Sequence, residues 1–361
     1  MELVRADRTA LVAVSGGVDS SVAALLLQRQ GFTLKAVNLK LYCYSEQAAP
    51  ESCCSFESSE IARAAMERLG VEFHILYLQD LFKREVIDPF FQEYRSGRTP
   101  NPCVACNAGF RFPFLARVAE EMGCQFVATG HYARVVEEGG NVYLARAHDA
   151  RKDQSYFLWG VAGDILRRVK FPLADLTKPE VRALAAEAGL PTAERPESQE
   201  VCFLPAAGYR SVLRMEDGEG ERGLILDSSG KKLGEHPGFA HFTVGQRRGL
   251  RVAAPQPLYV VRVEPQTNIV VVGPREELLH RIVRIERCRW HAALITREPF
   301  EAEGAVRYRN PPKPCTVEPG PRDTAQVRFS VPQMAPTPGQ SLVVYLGDRV
   351  IGGGIIADVL D

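Results

Sequence analysis

Ala10-Leu11-Val12-Ala13-Val14-Ser15-Gly16-Gly17-Val18-Asp19-Ser20-Ser21 is the stretch that decides the fold of the first half of the chain. Its apolar start has the length of a strand, Ser-Gly-Gly is a turn, and Asp19 and Ser20 open a helix patterned on Val22, Leu25 and Leu26 that Gly31 ends. A buried strand feeding a glycine turn into a helix N-terminus makes an anion site. The glycines let the backbone approach a phosphate, and the first-turn amides and the helix dipole point at it. No Lys follows at the spacing of Gly-x-x-x-x-Gly-Lys-[Ser/Thr], so this is not the kinase-type phosphate loop.

Outward from that stretch, strands and helices alternate. Leu34–Leu39 and Phe73–Leu78 pattern as strands, as does Gln125–Ala128 running into Thr129-Gly130-His131. Glu57–Leu69, Lys83–Tyr94 (with Pro89 as a kink) and Phe110–Met122 pattern as helices. Such alternation predicts a parallel sheet covered by helices, with ligands at the carboxyl ends of the strands. Ser15 to Ser20, Leu39 and Gly130-His131 fall at such ends. Val142–Arg146 is a candidate extra strand, Pro179–Ala188 a helix capped by Thr177, and 191–205 a loop with three prolines that contains Cys202. Beyond about Tyr209 the texture changes to short strands broken by Gly, Pro and Asn. From about Arg281, β-type alternation at Ala305–Arg309, Ala325–Phe329 and Ser341–Tyr345 predicts a small barrel or sandwich.

At 361 residues, two or three domains are expected. Lys plus Arg and Asp plus Glu both number 44, which argues against a uniformly basic nucleic-acid coat but leaves room for local basic patches. No apolar run is long enough to span a bilayer, and Met1–Asp7 lacks the pattern of a signal peptide. The chain therefore reads as cytoplasmic, with no membrane partner. Nine cysteines, some clustered, then point to reactive or metal-binding thiols rather than a disulfide framework.

Ser96-Gly97-Arg98-Thr99-Pro100-Asn101-Pro102-Cys103-Val104-Ala105-Cys106-Asn107 is the second informative stretch. Two prolines set an irregular loop and Asn107 starts a helical pattern, which places Cys106 at or near a helix N-terminus, where thiolate is favoured over thiol. Cys-x-x-Cys alone leaves a redox pair, half a zinc site and coincidence open. Cys202 lies in the polar, proline-bracketed loop Glu197–Pro205, an unusual place for a filler cysteine. Cys124, Cys288 and Cys315 sit in apolar, strand-like contexts that fit a core, and Cys53-Cys54 receive no role.

Ser-Gly-Gly-Val-Asp-Ser-Ser (15–21), Gly-Arg-Thr-Pro-Asn-Pro (97–102) with Cys106-Asn107, Ala-Thr-Gly-His-Tyr (128–132), Lys-Asp-Gln-Ser-Tyr-Phe-Leu (152–158), Cys202-Phe203 and Gly-Gln-Arg-Arg-Gly-Leu (245–250) occur in this order. Taken together, the set resembles the bacterial tRNA-specific 2-thiouridylases from Leu11 to about Ile356. The first motif is similar to the pyrophosphate loop of enzymes that cleave ATP between its α and β phosphates. The fold implied is α/β. A parallel-sheet pyrophosphatase-loop (adenine nucleotide α-hydrolase-like) catalytic domain would span 1–210, a small mixed central domain 211–280, and a β-barrel that binds tRNA 281–361.

The resemblance implies an ATP-dependent sulfurtransferase acting on the wobble uridine, U34. ATP, with Mg²⁺ on its phosphates, would bind through Ala13, Val14, Ser15, Gly16, Gly17, Val18, Asp19, Ser20, Leu39 and Gly130. The uridine C2 oxygen would be adenylated with release of pyrophosphate. Cys202 matches the cysteine that receives a persulfide from a sulfur-relay protein or cysteine desulfurase, and Cys106 the nucleophile that pairs with it in a transient disulfide. Such a mechanism needs the 191–205 loop to fold back over the site. Asn101, Pro102, Cys103, His131, Lys152, Asp153, Gln154, Arg307, Tyr308 and Gln340 match tRNA contacts. One departure matters: many members carry Asp where this chain has Cys103. Cys103, Cys106 and Cys202 as three ligands of a [4Fe–4S] cluster that carries the sulfur therefore stand as an alternative to persulfide chemistry. Further readings are adenylation of another substrate by the same loop and a non-catalytic metal-binding RNA module.

Overall fold

A computed structural model of the chain describes residues 8–44, 56–196, 201–218, 220–291 and 298–361. Cys53, Cys54, the stretch 197–200 and the first seven residues lie outside them. The chain divides into two compact units. The first comprises Met1–Ile87, Cys103–Ala206 and Asp348–Val350, and the second Asp88–Pro102, Ala207–Gly347 and Ile351–Asp361. Among the described residues, no helix is long and apolar enough to cross a membrane.

The first unit is built on the opening stretch. Strands β1 (Thr9–Ala13), β2 (Thr33–Lys40), β3 (Glu72–Tyr77) and β4 (Phe126–Ala128) form a parallel sheet. A hairpin follows, β5 (Arg134–Glu138) and β6 (Asn141–Ala145), and then β7 (Val169–Lys170), which closes the sheet order β3-β2-β1-β4-β7. The Ala-Leu-Val-Ala run of β1 is buried on both faces because helices cover both. Ala10 and Val12 pack with Ala24 and Leu27 of helix α1 (Val18–Arg29) and with Ala62 and Met66 of helix α2 (Phe56–Leu69). Leu11 faces the other way, onto Leu115, Val118 and Ala119 of the Phe112–Glu121 helix. That is why the run reads as continuously apolar rather than alternating. β5 escaped the sequence reading because its exposed face is charged. The Gly139-Gly140 turn that makes the hairpin has positive φ at both residues, as a two-residue hairpin loop requires.

The helical pattern over Phe110–Met122 begins earlier than the apolar spacing suggests. A short helix, Pro102–Ala105, starts with Pro102 in the first helical position, where its missing N–H costs nothing. A π-helical turn, Cys106–Arg111, connects it to Phe112–Glu121. The same element recurs at Lys83–Ile87. Each π turn ends two residues before a proline, Pro89 in one case and Pro113 in the other. A proline inside a helix removes one backbone bond and pushes on the carbonyl four residues back, and a widened turn accommodates both.

The second unit carries a mixed four-stranded sheet and a barrel. β8 (Gly223–Asp227), β9 (Lys232–His236), β10 (Tyr259–Glu264) and β11 (Ile269–Gly273) run in the order β10-β11-β8-β9, parallel only between β11 and β8. β12 (Leu279–Trp290), β13 (Phe300–Ala305), β14 (Lys313–Pro319), β15 (Ala325–Met334), β16 (Ser341–Leu346) and β17 (Arg349–Val359) are ordered β12-β15-β14-β13-β16-β17. The β12–β17 pairing closes the barrel. Its inward positions, among them Val283, Val317, Val327, Phe329, Leu342 and Ile356, form one core. The strand expected over Ala305–Arg309 stops at Ala305. Arg309 takes φ 63°, which breaks the ladder, and the Arg307 guanidinium turns onto the Met334 carbonyl. A helix at Tyr209–Asp217, unforeseen because it is short, buries Val212 and Leu213 and is bounded by Gly208 and Gly218 at positive φ.

β1 and β2 are tied beyond their ladder by a buried amide. Asn38 donates to the Val14 carbonyl at 2.7 Å and accepts from the Ser59 hydroxyl at 3.0 Å. Asn38→Leu removes both buried bonds, and should lower the unfolding free energy by roughly 2–4 kcal/mol in urea denaturation.

Candidate active site

The carboxyl ends of β1, β2 and β4 open on a cleft in the first unit. It is lined by Ala13, Val14, Ser15, Asp19 and Ser20, by Val37, Asn38, Leu39 and Leu41, by Arg111, and by Thr129, Gly130, His131 and Gln154. Gly16, Gly17 and Val18 complete the turn between Ser15 and Asp19. Ser20 closes that turn on itself: its hydroxyl donates to the Gly17 carbonyl at 3.0 Å and accepts from the Ser15 amide at 3.2 Å.

Two glycines are required by close approach. A Cβ on Gly16, whose φ is 79°, would lie 2.2 Å from the Ser58 carbonyl oxygen. One on Gly130 would lie 2.6 Å from the Ser20 nitrogen, so the end of β4 can press against the first turn of α1 only without a side chain.

Several side chains the sequence did not single out shape the cleft. Lys178, the first residue of the Lys178–Glu187 helix, places its ammonium 2.7 Å from each Asp19 carboxylate oxygen, and the Tyr132 hydroxyl donates to Oδ1 at 2.9 Å. The Arg195 guanidinium reaches the Gly16 carbonyl at 3.1 Å and the Ser58 hydroxyl. Arg182 holds the turn before it by donating to the carbonyls of Ala193 and Arg195. Arg111 enters the lining at the end of the π turn that Cys106 starts. Tyr132 closes the 128–132 motif, but no local motif announces Lys178, Arg182, Arg195 or Arg111.

His131 stands in the cleft wall with Nδ1 2.8 Å from the Thr129 hydroxyl. Burial, with the Arg111 charge adding to it, lowers its pKa to about 3, so the ring is neutral at pH 7. Gln154, a further match to a tRNA contact, lines the same cleft while its side-chain oxygen accepts from the Tyr132 amide at 2.9 Å. Asp153 accepts from the Ala147 amide and from the Ser155 hydroxyl, an arrangement that shapes the 147–155 loop. Lys152 sits in the same loop, its amide donating to the Asp149 carbonyl.

The cysteine segments meet on one ring. Phe82, 1% exposed, contacts Phe110 edge-on at 5.4 Å and Phe203 at 5.9 Å. Phe110 lies in the π turn opened by Cys106, and Phe203 follows Cys202. The Tyr44 amide, just past β2, donates to the Phe203 carbonyl at 3.3 Å. The described end of the 191–205 loop is thus folded back onto the sheet side of the first unit. Cys106 is the fifth residue of its helical run rather than at its N-terminus, and it is 5% exposed. Cys103, second in the run and half-buried, is the one in the first turn. Burial raises the thiol pKa of Cys124 and pushes those of Cys288 and Cys315 up to about 12, in line with core roles. Among the described residues, no three His, Cys, Asp or Glu side chains are grouped to hold a metal ion. Cys103, Cys106 and Cys202 are thus not gathered as a ligand set in this structure.

In the second unit the Gly97–Pro102 segment is bound to the barrel. Gln340 donates to the carbonyls of Thr99 at 2.8 Å and Pro100 at 3.2 Å, and a Cβ on Gly339 would clash with the Thr99 backbone at 2.9 Å. Asn101, Pro102 and Gln340, all matched to tRNA contacts, are thereby brought together. Arg307 and Tyr308 lie in the turn after β13, with the Arg309 guanidinium 5.3 Å from the Tyr308 ring centre.

Two measurements test this geometry. Since the folded His131 pKa lies below the unfolded value of about 6.5, the unfolded chain alone takes up a proton as pH falls below that value. His131 should therefore cost up to about 1.4 kcal/mol of stability per pH unit between about pH 6 and 4. The His131→Gln chain should show a correspondingly shallower acid limb in denaturation titrations. Phe82→Ala should destabilise the first unit by about 3–5 kcal/mol. It should also speed limited proteolysis of the 191–205 loop, and an unchanged cleavage rate would contradict the pinning role of the ring.

The chain matches the tRNA methyl transferase HUP domain over residues 8–206, the tRNA methyl transferase PRC-barrel domain over 213–274 and the aminomethyltransferase β-barrel domain over 280–356. It is 47% identical to the tRNA-specific 2-thiouridylase MnmA of Geobacter metallireducens, over 98% of this chain and 97% of that one. It is 42% identical to the protein of the same name from Carboxydothermus hydrogenoformans, over 96% of each. Among solved structures, the U34-tRNA thiolase NcsA from Methanococcus maripaludis with its [4Fe-4S] cluster is similar at 21% identity and a TM-score of 0.34, over 54% of this chain and 61% of that one. With full-length identity to named relatives and a family model spanning the parallel-sheet unit, the chain belongs to the tRNA-specific 2-thiouridylase family of tRNA sulfurtransferases.

Proposed function

We propose that this chain is the ATP-dependent enzyme that replaces the C2 oxygen of U34 in tRNA with sulfur, in the cytoplasm. The observation that carries the reading is the junction at Phe82, where the segments bearing Cys106 and Cys202 pack on one ring in the unit that also holds the Ser15–Ser20 turn. Full-length relatives named as tRNA-specific 2-thiouridylases support it.

ATP binds through Ala13 to Ser20, Leu39 and Gly130, with Mg²⁺ accompanying the phosphates as their counter-ion. The uridine C2 oxygen attacks the α-phosphorus and expels pyrophosphate, which makes that oxygen part of a good leaving group, AMP. A persulfide on Cys202, loaded by a sulfur-relay protein or cysteine desulfurase, attacks C2 through its outer sulfur and displaces AMP. The Cys106 thiolate then attacks the Cys202 sulfur. The S–S bond breaks, the thiocarbonyl leaves with its sulfur, and a Cys106–Cys202 disulfide remains for a thiol reductant to reopen. Attack by Cys106 requires that its buried side chain be uncovered when substrate is bound.

The anticodon loop is single-stranded RNA, read by splayed bases and phosphate contacts. Asn101, Pro102, Cys103, His131, Lys152, Asp153, Gln154, Arg307, Tyr308 and Gln340 are the proposed contacts. In this scheme residues 1–210 are catalytic, 211–280 form the central domain and 281–361 bind tRNA.

Mass spectrometry of tRNA incubated with the chain, ATP and a persulfide donor tests the proposal. An ATP-dependent gain of one sulfur for one oxygen at U34 is expected, with AMP and pyrophosphate formed in equal amounts. Cys202→Ser and Cys106→Ser should each abolish the gain, while pyrophosphate release persists in the presence of tRNA. Sulfur incorporation without ATP would overturn the scheme.

A further inference from the structure

The turn Ser15–Ser20 brings no cation of its own and one anion, Asp19, to the cleft. A triphosphate laid along the first turn of α1 would meet that carboxylate at close range, and His131, held neutral, does not offset it. Arg111 is the cation of the cleft lining, and the charge set directly on Asp19 arrives from 159 residues downstream, as the Lys178 ammonium 2.7 Å from both carboxylate oxygens.

That placement is built rather than incidental. Lys178 is 8% exposed and sits at the start of a helix whose N-terminus is fixed by the Glu180 carboxylate accepting from the Thr177 amide at 2.7 Å. The helix packs against α1 through Val181 and Ala185, which share a core with Val18, Val22 and Leu25. Tyr132 completes the setting, its hydroxyl on Asp19 Oδ1 and its ring centre 6.0 Å from the Lys178 nitrogen. Two elements thus hold the ammonium against the carboxylate.

We propose that Lys178 is the positioning counter-ion of the nucleotide turn: it cancels the charge of Asp19 and so admits a nucleoside triphosphate to the first turn of α1. The inference rests on the reading of this cleft as an ATP site. Lys178 does for the turn, through Asp19, what the lysine of Gly-x-x-x-x-Gly-Lys-[Ser/Thr] does by direct contact.

The test is equilibrium binding of a non-hydrolysable ATP analogue to the full chain, in EDTA so that metal binding by Asp19 does not enter. Wild-type chain that fails to bind the analogue both in EDTA and with Mg²⁺ would sink the ATP reading and this inference together, whereas binding with Mg²⁺ alone would overturn this inference and leave the ATP reading standing. Lys178→Met leaves one uncompensated charge beside the phosphates and should weaken binding roughly ten- to a hundred-fold. Lys178→Arg should stay within about three-fold of wild type, because it keeps the charge. The doubly neutral Asp19→Asn/Lys178→Met chain, which does not depend on the fold tolerating a lone buried charge, should recover binding several-fold over Lys178→Met. A Lys178→Met chain that folds and binds like wild type overturns the assignment. So does a folded double variant with a hundred-fold loss, which would instead make Lys178 a direct phosphate ligand.

Discussion

The active-site half of this chain depends on the absence of one carbon atom. At Gly16 a Cβ would lie 2.2 Å from the Ser58 carbonyl, so only glycine lets the opening turns of α2 close on the loop that follows β1. Arg195 then bonds to both sides of that contact, the Gly16 carbonyl and the Ser58 hydroxyl. In a planar trans peptide, fixing the carbonyl of Gly16 also fixes the direction of the Gly17 N–H, which points the opposite way. The loop's ability to present amides to an anion is thus set by residues 58 and 195 as much as by its own glycines.

The parallel sheet was legible because β1, buried on both faces, leaves a run of apolar residues that ends in glycines, and because the helices over it end in glycine after regular spacing. The cleft was legible for the same reason: three strand ends fall at Ser15, Leu39 and Gly130. What escaped was whatever depends on distant partners. Nothing near Lys178 or Arg195 in the sequence says that they meet Asp19 and Gly16. Arg111 was hidden by a helix whose turn is wider than 3.6 residues. In the barrel, alternation at Ala305–Arg309 suggested a strand, but an arginine at positive φ and the inward turn of Arg307 outweigh local β preference there.

Phe82 shows how a side chain with no chemistry of its own organises one that has it. It carries no polar group, yet its two contacts, Phe110 and Phe203, belong to the segments with the two cysteines proposed for sulfur transfer. A thiol pair separated by almost a hundred residues needs such an anchor. Loop closure over that length carries an entropic cost that grows only slowly with chain length, so a few well-packed aromatic contacts suffice to offset much of it.

The π turn at Cys106–Arg111 has a further consequence for how this helix tolerates change in length. A π turn is an α-helix with one residue inserted, so this run holds one residue in surplus. Losing a residue between Cys106 and Pro113 would return the segment to regular α-helix and leave Phe112–Glu121 packed on the sheet as before. The wide turn absorbs that residue, so what lies ahead of the deletion would keep its phase as well. Leu115 and Val118 would stay against β1 and β4 and Cys106 in register with them, while the turn itself, which ends at Arg111 in the cleft wall, would be redrawn. In this helix the two ends are fixed in phase and only the bulge between them can change, so a single codon alters the cleft wall without moving the scaffold.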